Sequence, residues 1–387
     1  MAETLNPGLY IEEVPDNRHP IAGVSTSNTA FIDVFAQGPV DTATKVTSFA
    51  EFEQLFGGLD EQSEASYAIQ QYFLNGGRLA FVVRVSDATA EAIVGDSLAK
   101  TGVHALEEID PEIFNLMCIP AAANLSQPDF TRVISKAEEY CAGKRAFLII
   151  DAPPEIDSKA KMIGWIEANE NLRHRNTAVY FPRLGIADPL NGNQPRNIAP
   201  SGAVAGIYAR VDETRGVFKA PANELLLGGA NLTAPVTTAE GAALNSLGIN
   251  VLRNFSGKGN LIWGGRTFDG ADGRASEWKY IPVRRLALYL EESLYRGSQW
   301  AMFEPNDEPL WAALRSSFND FLSSLWRQAA FQGVKPEQAF FARCDATTTT
   351  QNDIDQGVVN IAVGFAPLKP AEFIVLQIRQ FAGQTQT

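Results

Sequence analysis

Two aspartates stand where an enzyme could use them. Asp87 follows the apolar run Leu79–Val85, and Asp151 follows the apolar run Ala146–Ile150. The carboxyl end of a buried strand is where an α/β sheet presents ligand groups. A metal held by both carboxylates would make the chain a metal-dependent α/β hydrolytic enzyme. No nucleophile, histidine or metal-ligand spacing accompanies them, however, and a surface cap at Asp87 and a turn at Asp151-Ala-Pro-Pro154 explain both. Gly257-Lys-Gly259 and Gly202–Gly206 match neither the Walker A pattern nor GxGxxG. Asp353, Asp355 and Gly357 hint at a calcium loop but lack its remaining ligands. Cys118, Cys141 and Cys344 form no CxxC pair, and His19, His104 and His174 no HxxxH. These residues therefore predict no catalytic, cofactor-binding or metal site and no enzyme, with the hydrolase through Asp87 and Asp151 as the alternative.

The elements around them fit a structural body. Strands are expected at Thr29–Phe35, Leu79–Val85, Phe114–Ile119, Ala146–Ile150 and Thr177–Phe181, alternating with helices at Ser63–Leu74, Pro128–Cys141, Ser158–Ala168 and Ser201–Val211. Short apolar strands separated by helices indicate a mainly parallel sheet covered on both faces. Six acids against one base, Lys45, between Asp41 and Glu64 read as a solvated outer face. The Gly-, Ala-, Thr- and Pro-rich stretch 228–242 reads as a boundary, dividing an α/β domain (23–227) from an α+β domain (228–366). In the second, strands are expected at Ile249–Asn254, Asn260–Trp263, Gln299–Phe303 and Val358–Phe365, with helices over Val283–Arg296 and Pro309–Gly333. The fold class is α/β with extended terminal arms.

Those arms (1–22 and 367–387) are the least ordinary feature. Ile374, Leu376 and Ile378 make one apolar row of a terminal strand, and Phe373, Val375, Gln377, Arg379 and Phe381 the other, mixed row. At the opposite end Leu9 and Ile11 face away from Tyr10 and Val14, and Pro15 and Pro20 bracket the linker that follows. Burying the three C-terminal aliphatics is worth roughly 1.5–3 kcal/mol each, and ordering the backbone costs roughly 1–2 kcal/mol per residue. An arm of this kind needs a waiting sheet edge, on its own subunit or on a neighbouring copy. Arg284 and Arg285 open a helix whose later turns carry Glu291 and Glu292, both pairs against the macrodipole. They read either as partners of nearby acids such as Glu304 and Asp307 or as subunit or tube contacts.

The net charge of −13 argues against nucleic acid as a partner, since phosphate binding needs a basic face. No 18-residue apolar run exists to insert into a membrane, and Met1-Ala-Glu-Thr4 lacks the regions of a signal peptide, so synthesis in the cytoplasm is expected.

Several runs resemble contractile tail sheath proteins. They are Pro7-Gly-Leu-Tyr-Ile-Glu-Glu-Val-Pro15, Ala199-Pro-Ser-Gly-Ala-Val-Ala-Gly-Ile-Tyr-Ala-Arg210, Trp278-Lys-Tyr-Ile-Pro-Val-Arg-Arg-Leu286, Phe303-Glu-Pro-Asn-Asp-Glu-Pro-Leu-Trp311 and Pro367-Leu-Lys-Pro-Ala-Glu-Phe373. The resemblance implies an outer α/β domain, an inner α+β domain, and arms that add strands to neighbours' sheets. It further implies six-membered rings stacked around an inner tube, and a lattice that shortens to drive the tube through a target envelope. The implied partners are copies of the chain itself, the inner tube protein, and baseplate and tail terminator or cap proteins. The particle would be a phage tail or a released extracellular injection system. The short chain, without a large inserted outer domain, favours a pyocin-like or extracellular particle.

Overall fold

A computed structural model describes residues 19–372, so both expected arm strands lie outside the described residues. The described residues divide into two compact units, one of residues 25–289 and 368–372, the other of residues 19–24 and 290–367.

The larger unit is built on a sheet of nine strands among the described residues. Strands β1 (Thr29–Asp33), β2 (Thr44–Val46), β3 (Ala80–Arg84), β4 (Leu116–Cys118), β5 (Phe147–Asp151) and β6 (Thr177–Phe181) are followed by a separate small sheet of β7 (Leu184–Asp188), β8 (Gln194–Ile198) and β10 (Asn231–Leu232). Strands β9 (Glu224–Leu225), β11 (Ile249–Phe255) and β12 (Gly259–Trp263) complete the large sheet, in the order β2-β3-β1-β4-β5-β6-β11-β12-β9. The six strands from β3 to β11 run parallel, and β2, β12 and β9 close the two ends in antiparallel pairings.

Period-two alternation sorts the strand residues into two cores. Ile32, Val83, Met117, Ile150 and Val179 face one side. Phe31, Val82, Cys118, Ile149 and Tyr180 face the other. Helices α1 (Phe49–Phe56), α2 (Glu64–Leu74) and α6 (Ser201–Arg215) contribute Phe52, Tyr72 and Tyr208 to the second core. Helices α3 (Ala90–Val94), α4 (Gln127–Gly143), α5 (Lys159–Ala168) and α7 (Thr238–Ser246) contribute Ile93, Phe130, Trp165 and Leu244 to the first.

The glycines at 202 and 206 have a packing role. A Cβ on Gly202 would collide with the carbonyl of Ala68, and one on Gly206 with the carbonyl of Tyr72. Their spacing of four puts both on one face of α6, which lets its backbone lie against α2.

The boundary expected at 228 does not separate the compact units. Ile249–Val251 pairs with Val179–Phe181, so the chain beyond 228 extends the large sheet. The turn-rich composition there reflects edge strand β10 and the capping box of α7, where Thr237 and Glu240 satisfy each other's backbone donors. The division falls at Tyr289–Leu290, inside helix α8 (Ile281–Gly297). The acidic face is also corrected at one residue, because Glu64 is buried.

In the smaller unit, α9 (Glu308–Arg327) is capped by Asp307 with Pro309 in its first turn, and buries Trp311, Leu314, Phe318, Phe321, Leu322 and Leu325 as the pattern predicted. The strand expected at Gln299–Phe303 is a 3-10 turn over Gln299–Ala301, with the Trp300 ring stacked on His19 at 3.7 Å. The Val358–Phe365 strand shortens to β14 (Ala362–Phe365), antiparallel to β13 (Phe340–Arg343).

The close approach of α2 and α6 predicts that Gly202→Ala or Gly206→Val overpacks the pair. Each variant should lose about 1–3 kcal/mol in denaturant unfolding, with the larger residue losing more. Wild-type stability in either would refute this packing role.

Candidate functional site

In an open parallel sheet the carboxyl ends of the strands are the ordinary place for a ligand. Here that edge is occupied by the chain itself. Asp33, at the end of β1, is fully buried and accepts from the backbone of Val34 at 2.8 Å and Ala65 at 2.7 Å, capping α2. Asp151, at the end of β5, accepts from the Ser201 backbone at 3.0 Å and caps α6. Between them Glu64 forms a buried ion pair with Arg183, and also accepts from the Ala199 backbone at 2.8 Å and from Asn124 at 2.7 Å. Arg183 spends its other donors on Asn197 at 2.8 Å and on the Ala152 carbonyl at 3.0 Å. Buried charge is retained when it is paired and hydrogen-bonded, and Glu64 and Arg183 find these partners within the chain.

Burial pushes the Asp33 carboxyl up to about 7, against the opposing hydrogen bonds from Ala65, Val34 and Ser63. Burial likewise raises Asp151 to about 7, opposed by the side chain and backbone of Ser201. The Cys118 thiol, beneath Asp151, is pushed well above its ordinary value by burial, which keeps it protonated and inert.

The two aspartates considered as a metal pair do not meet. Asp87 is exposed and accepts from the backbone of Thr89 at 3.1 Å, a turn that leads into α3. It follows β3, three strand spacings from β5, or about 14 Å across the sheet. Among the described residues no cluster of histidine, cysteine, aspartate and glutamate could hold a metal ion. Asp353 caps a short helix by accepting from the Thr350 backbone at 2.8 Å, and Asp355 accepts from Gln351 at 2.8 Å, so neither forms a calcium loop. Gly257 and Gly259, at φ +76° and +91°, make the turn between β11 and β12.

Arg284 and Arg285, read either as partners of acids or as subunit or tube contacts, both have partners within the chain. Arg285 is buried, grips both carboxylate oxygens of Asp212 at 2.6 and 3.0 Å, donates to the Thr26 carbonyl at 2.8 Å, and lies over the Tyr208 ring. Arg284 is buried, donates to Asn176 at 2.6 Å and lies over the Trp278 ring. The acid that pairs with Arg285 is Asp212, 73 residues away in sequence. Glu292 is buried and pairs with Arg296, whereas Glu291 is exposed. No signal in the sequence singled out Glu64, Arg183 or Asp33, whose partners include residues 30, 119 and 135 positions away.

The strands β13 and β14 form a ribbon of two among the described residues, and each has one edge without a pairing strand. Phe340 and Phe365 lie close to Phe331, with ring centroids 6.0 and 5.8 Å away. On the opposite face the Phe341 ring covers Gly364, with Arg343 over the Phe341 ring.

The chain has counterparts among known proteins. Residues 87–268 match the phage tail sheath protein central domain, and residues 274–381 the phage tail sheath C-terminal domain. The chain belongs to the contractile tail sheath family. The PVC sheath complex of an extracellular contractile injection system, in its contracted state, is 31% identical, with a TM-score of 0.77 and coverage of 98% of this chain and 99% of that one. The helical sheath of the anti-feeding prophage, also contracted, is 31% identical, with a TM-score of 0.74 and coverage of 97% and 99%. The tail sheath protein of Vibrio phage KVP40 is 28% identical over 92% of this chain, and the chain spans about half (55%) of that relative's length. The chain is thus a structural subunit of a contractile sheath. No helix among the described residues is long and apolar enough to cross a membrane.

A carboxyl held near neutrality by burial binds its proton more tightly folded than unfolded. Between pH 4 and 7 it therefore stabilises the fold less as pH rises. Asp151→Asn keeps an acceptor for Ser201 and removes that ionisation. Its stability relative to wild type should rise between pH 5 and pH 8 by on the order of 1–3 kcal/mol in urea titrations. A difference independent of pH would show that Asp151 is ionised throughout.

Proposed function

We propose that the chain polymerises as stacked rings around an inner tube by exchanging strands between subunits, and that the lattice contracts to drive the tube through a target envelope. The observation that carries this reading is the two-stranded ribbon, neither of whose outer edges has a pairing strand among the described residues, apart from a single bridge of Phe331 to Pro367 beyond β14. A ribbon of two strands is marginal in water, and unpaired strand edges invite another chain. The chain also carries two strand-patterned arms, at Leu9–Val14 and from Phe373 onward, that need an edge to complete.

Face matching favours the same pairing. Added to the ribbon, the apolar row Ile374, Leu376 and Ile378 would continue the Phe340 and Phe365 face over Phe331. The mixed row of Phe373, Val375, Gln377 and Arg379 would continue the face of Phe341 and Arg343. A donated strand makes a head-to-tail contact, which gives rings or open helical filaments. Many such arms together hold a lattice through effective concentration.

The exposed stripe of α9, with Ala312, Ser316, Asp320 and Arg327, is the surface assigned to the tube, and Glu291 to a subunit contact. Baseplate and terminator proteins would bind the ends of the stack. Near-complete coverage of two extracellular injection sheaths, against half of a phage relative, favours a released particle over a phage tail.

Deleting residues 373–387 should leave a folded monomer with an unfolding transition close to that of the full chain. In negative-stain images it should form no tubes under conditions where the full chain does. Tubes of normal length from the truncated chain would overturn strand exchange.

A further inference from the structure

The largest of the fully buried side chains is Arg266, 1% exposed, in the loop after β12. All three of its guanidinium nitrogens donate hydrogen bonds. Nε and one terminal nitrogen donate to the two carboxylate oxygens of Glu372, each at 2.7 Å. The other terminal nitrogen donates to Asp272 and to the Asn245 carbonyl, each at 2.9 Å, and to the Gly270 carbonyl at 3.5 Å. Glu372 also accepts from the Tyr280 hydroxyl at 3.2 Å and from the Asn245 amide at 3.4 Å. Burial works against the ionised carboxyl, but the Arg266 fork outweighs it and holds Glu372 below its ordinary value.

The placement of this pair is unusual. Glu372 immediately precedes the alternating segment that begins at Phe373, and residues 368–371 form no helix or strand. Upstream, Pro367 bridges Phe331 in the smaller unit. The socket itself comes from three separate places in the larger unit: α7 (Asn245), the loop 266–272, and Tyr280 at the start of α8. A fork-to-fork arginine–carboxylate pair fixes direction as well as position. A lysine could not reproduce that geometry.

We propose that the Arg266 socket is an intramolecular carboxylate receptor that latches Glu372 and so positions the root of the C-terminal segment before it meets a neighbouring subunit. The idea rests on the strand-exchange reading for its consequence, but the latch itself is a property of the single chain. An arm whose root is already ordered loses less entropy when it adds to a ribbon, so capture is faster.

The test uses the full chain with Glu372→Gln and, separately, Arg266→Lys. Hydrogen exchange followed by mass spectrometry on the unassembled chain should show residues 368–372 exchanging about tenfold faster in both variants, as expected for loss of a charge-assisted pair. Exchange elsewhere in the larger unit should stay as in wild type, and the rate of tube formation should fall several-fold. Unchanged exchange at 368–372 would overturn the latch. Faster exchange with undiminished tube formation would reduce the pair to a local ion pair and overturn its positioning role. Should Arg266→Lys disturb the body, Glu372→Gln, on the partner carboxylate, decides alone. The truncation at 373 decides separately whether the arm drives assembly, so failure of the latch and failure of strand exchange give different results.

Discussion

An unpaired strand edge is a row of backbone donors and acceptors with no partner, and this chain treats its two kinds of edge in opposite ways. The large sheet ends in short antiparallel strands, with β2 at one side and β9 at the other. Only two or three residues of backbone stay open there, too few to template another chain. The ribbon of β13 and β14 has four residues on each strand and no such cover among the described residues.

The same logic governs the polar interior. A parallel sheet gathers helix N-termini at the carboxyl ends of its strands, and an enzyme leaves that edge free for substrate. Here Asp33 and Asp151 cap α2 and α6, while Glu64 and Arg183 neutralise each other between them. The helices so capped are the two that the glycines of α6 bring into backbone contact. Capping, ion pairing and close helix packing therefore make one rigid block. Perturbed carboxyls often mark catalysis. In this chain the cause of the shifts at Asp33 and Asp151 is burial inside that block.

The legible parts of the fold were those set by local periodicity. The apolar run expected as a strand at Ala146–Ile150 forms β5, one residue further on, and the stripe of α9 and the cap–Pro start at Asp307–Pro309 stand where the residues placed them. The errors arose where a local rule met a tertiary demand. Gln299–Phe303 is apolar enough for a strand, but Trp300 stacks on His19 and the backbone turns. The stretch 228–242 has the composition of a linker, yet it leads straight into strands of the same sheet. The partners of Arg284 and Arg285 were not legible in sequence because Asn176 and Asp212 are 108 and 73 residues away.

What the sequence determined by itself was the alternation of apolar strands with capped helices, the strand-like rows of the two termini, and the long runs that mark a contractile sheath. Each is written in neighbouring residues, where periods of two and 3.6 and the chemistry of caps operate. What only the tertiary structure decided was which charges would be consumed inside the body and which strand edges would be left open. Those outcomes depend on side chains that meet from distant parts of the chain, and no spacing in a linear sequence encodes which buried arginine will find which carboxylate.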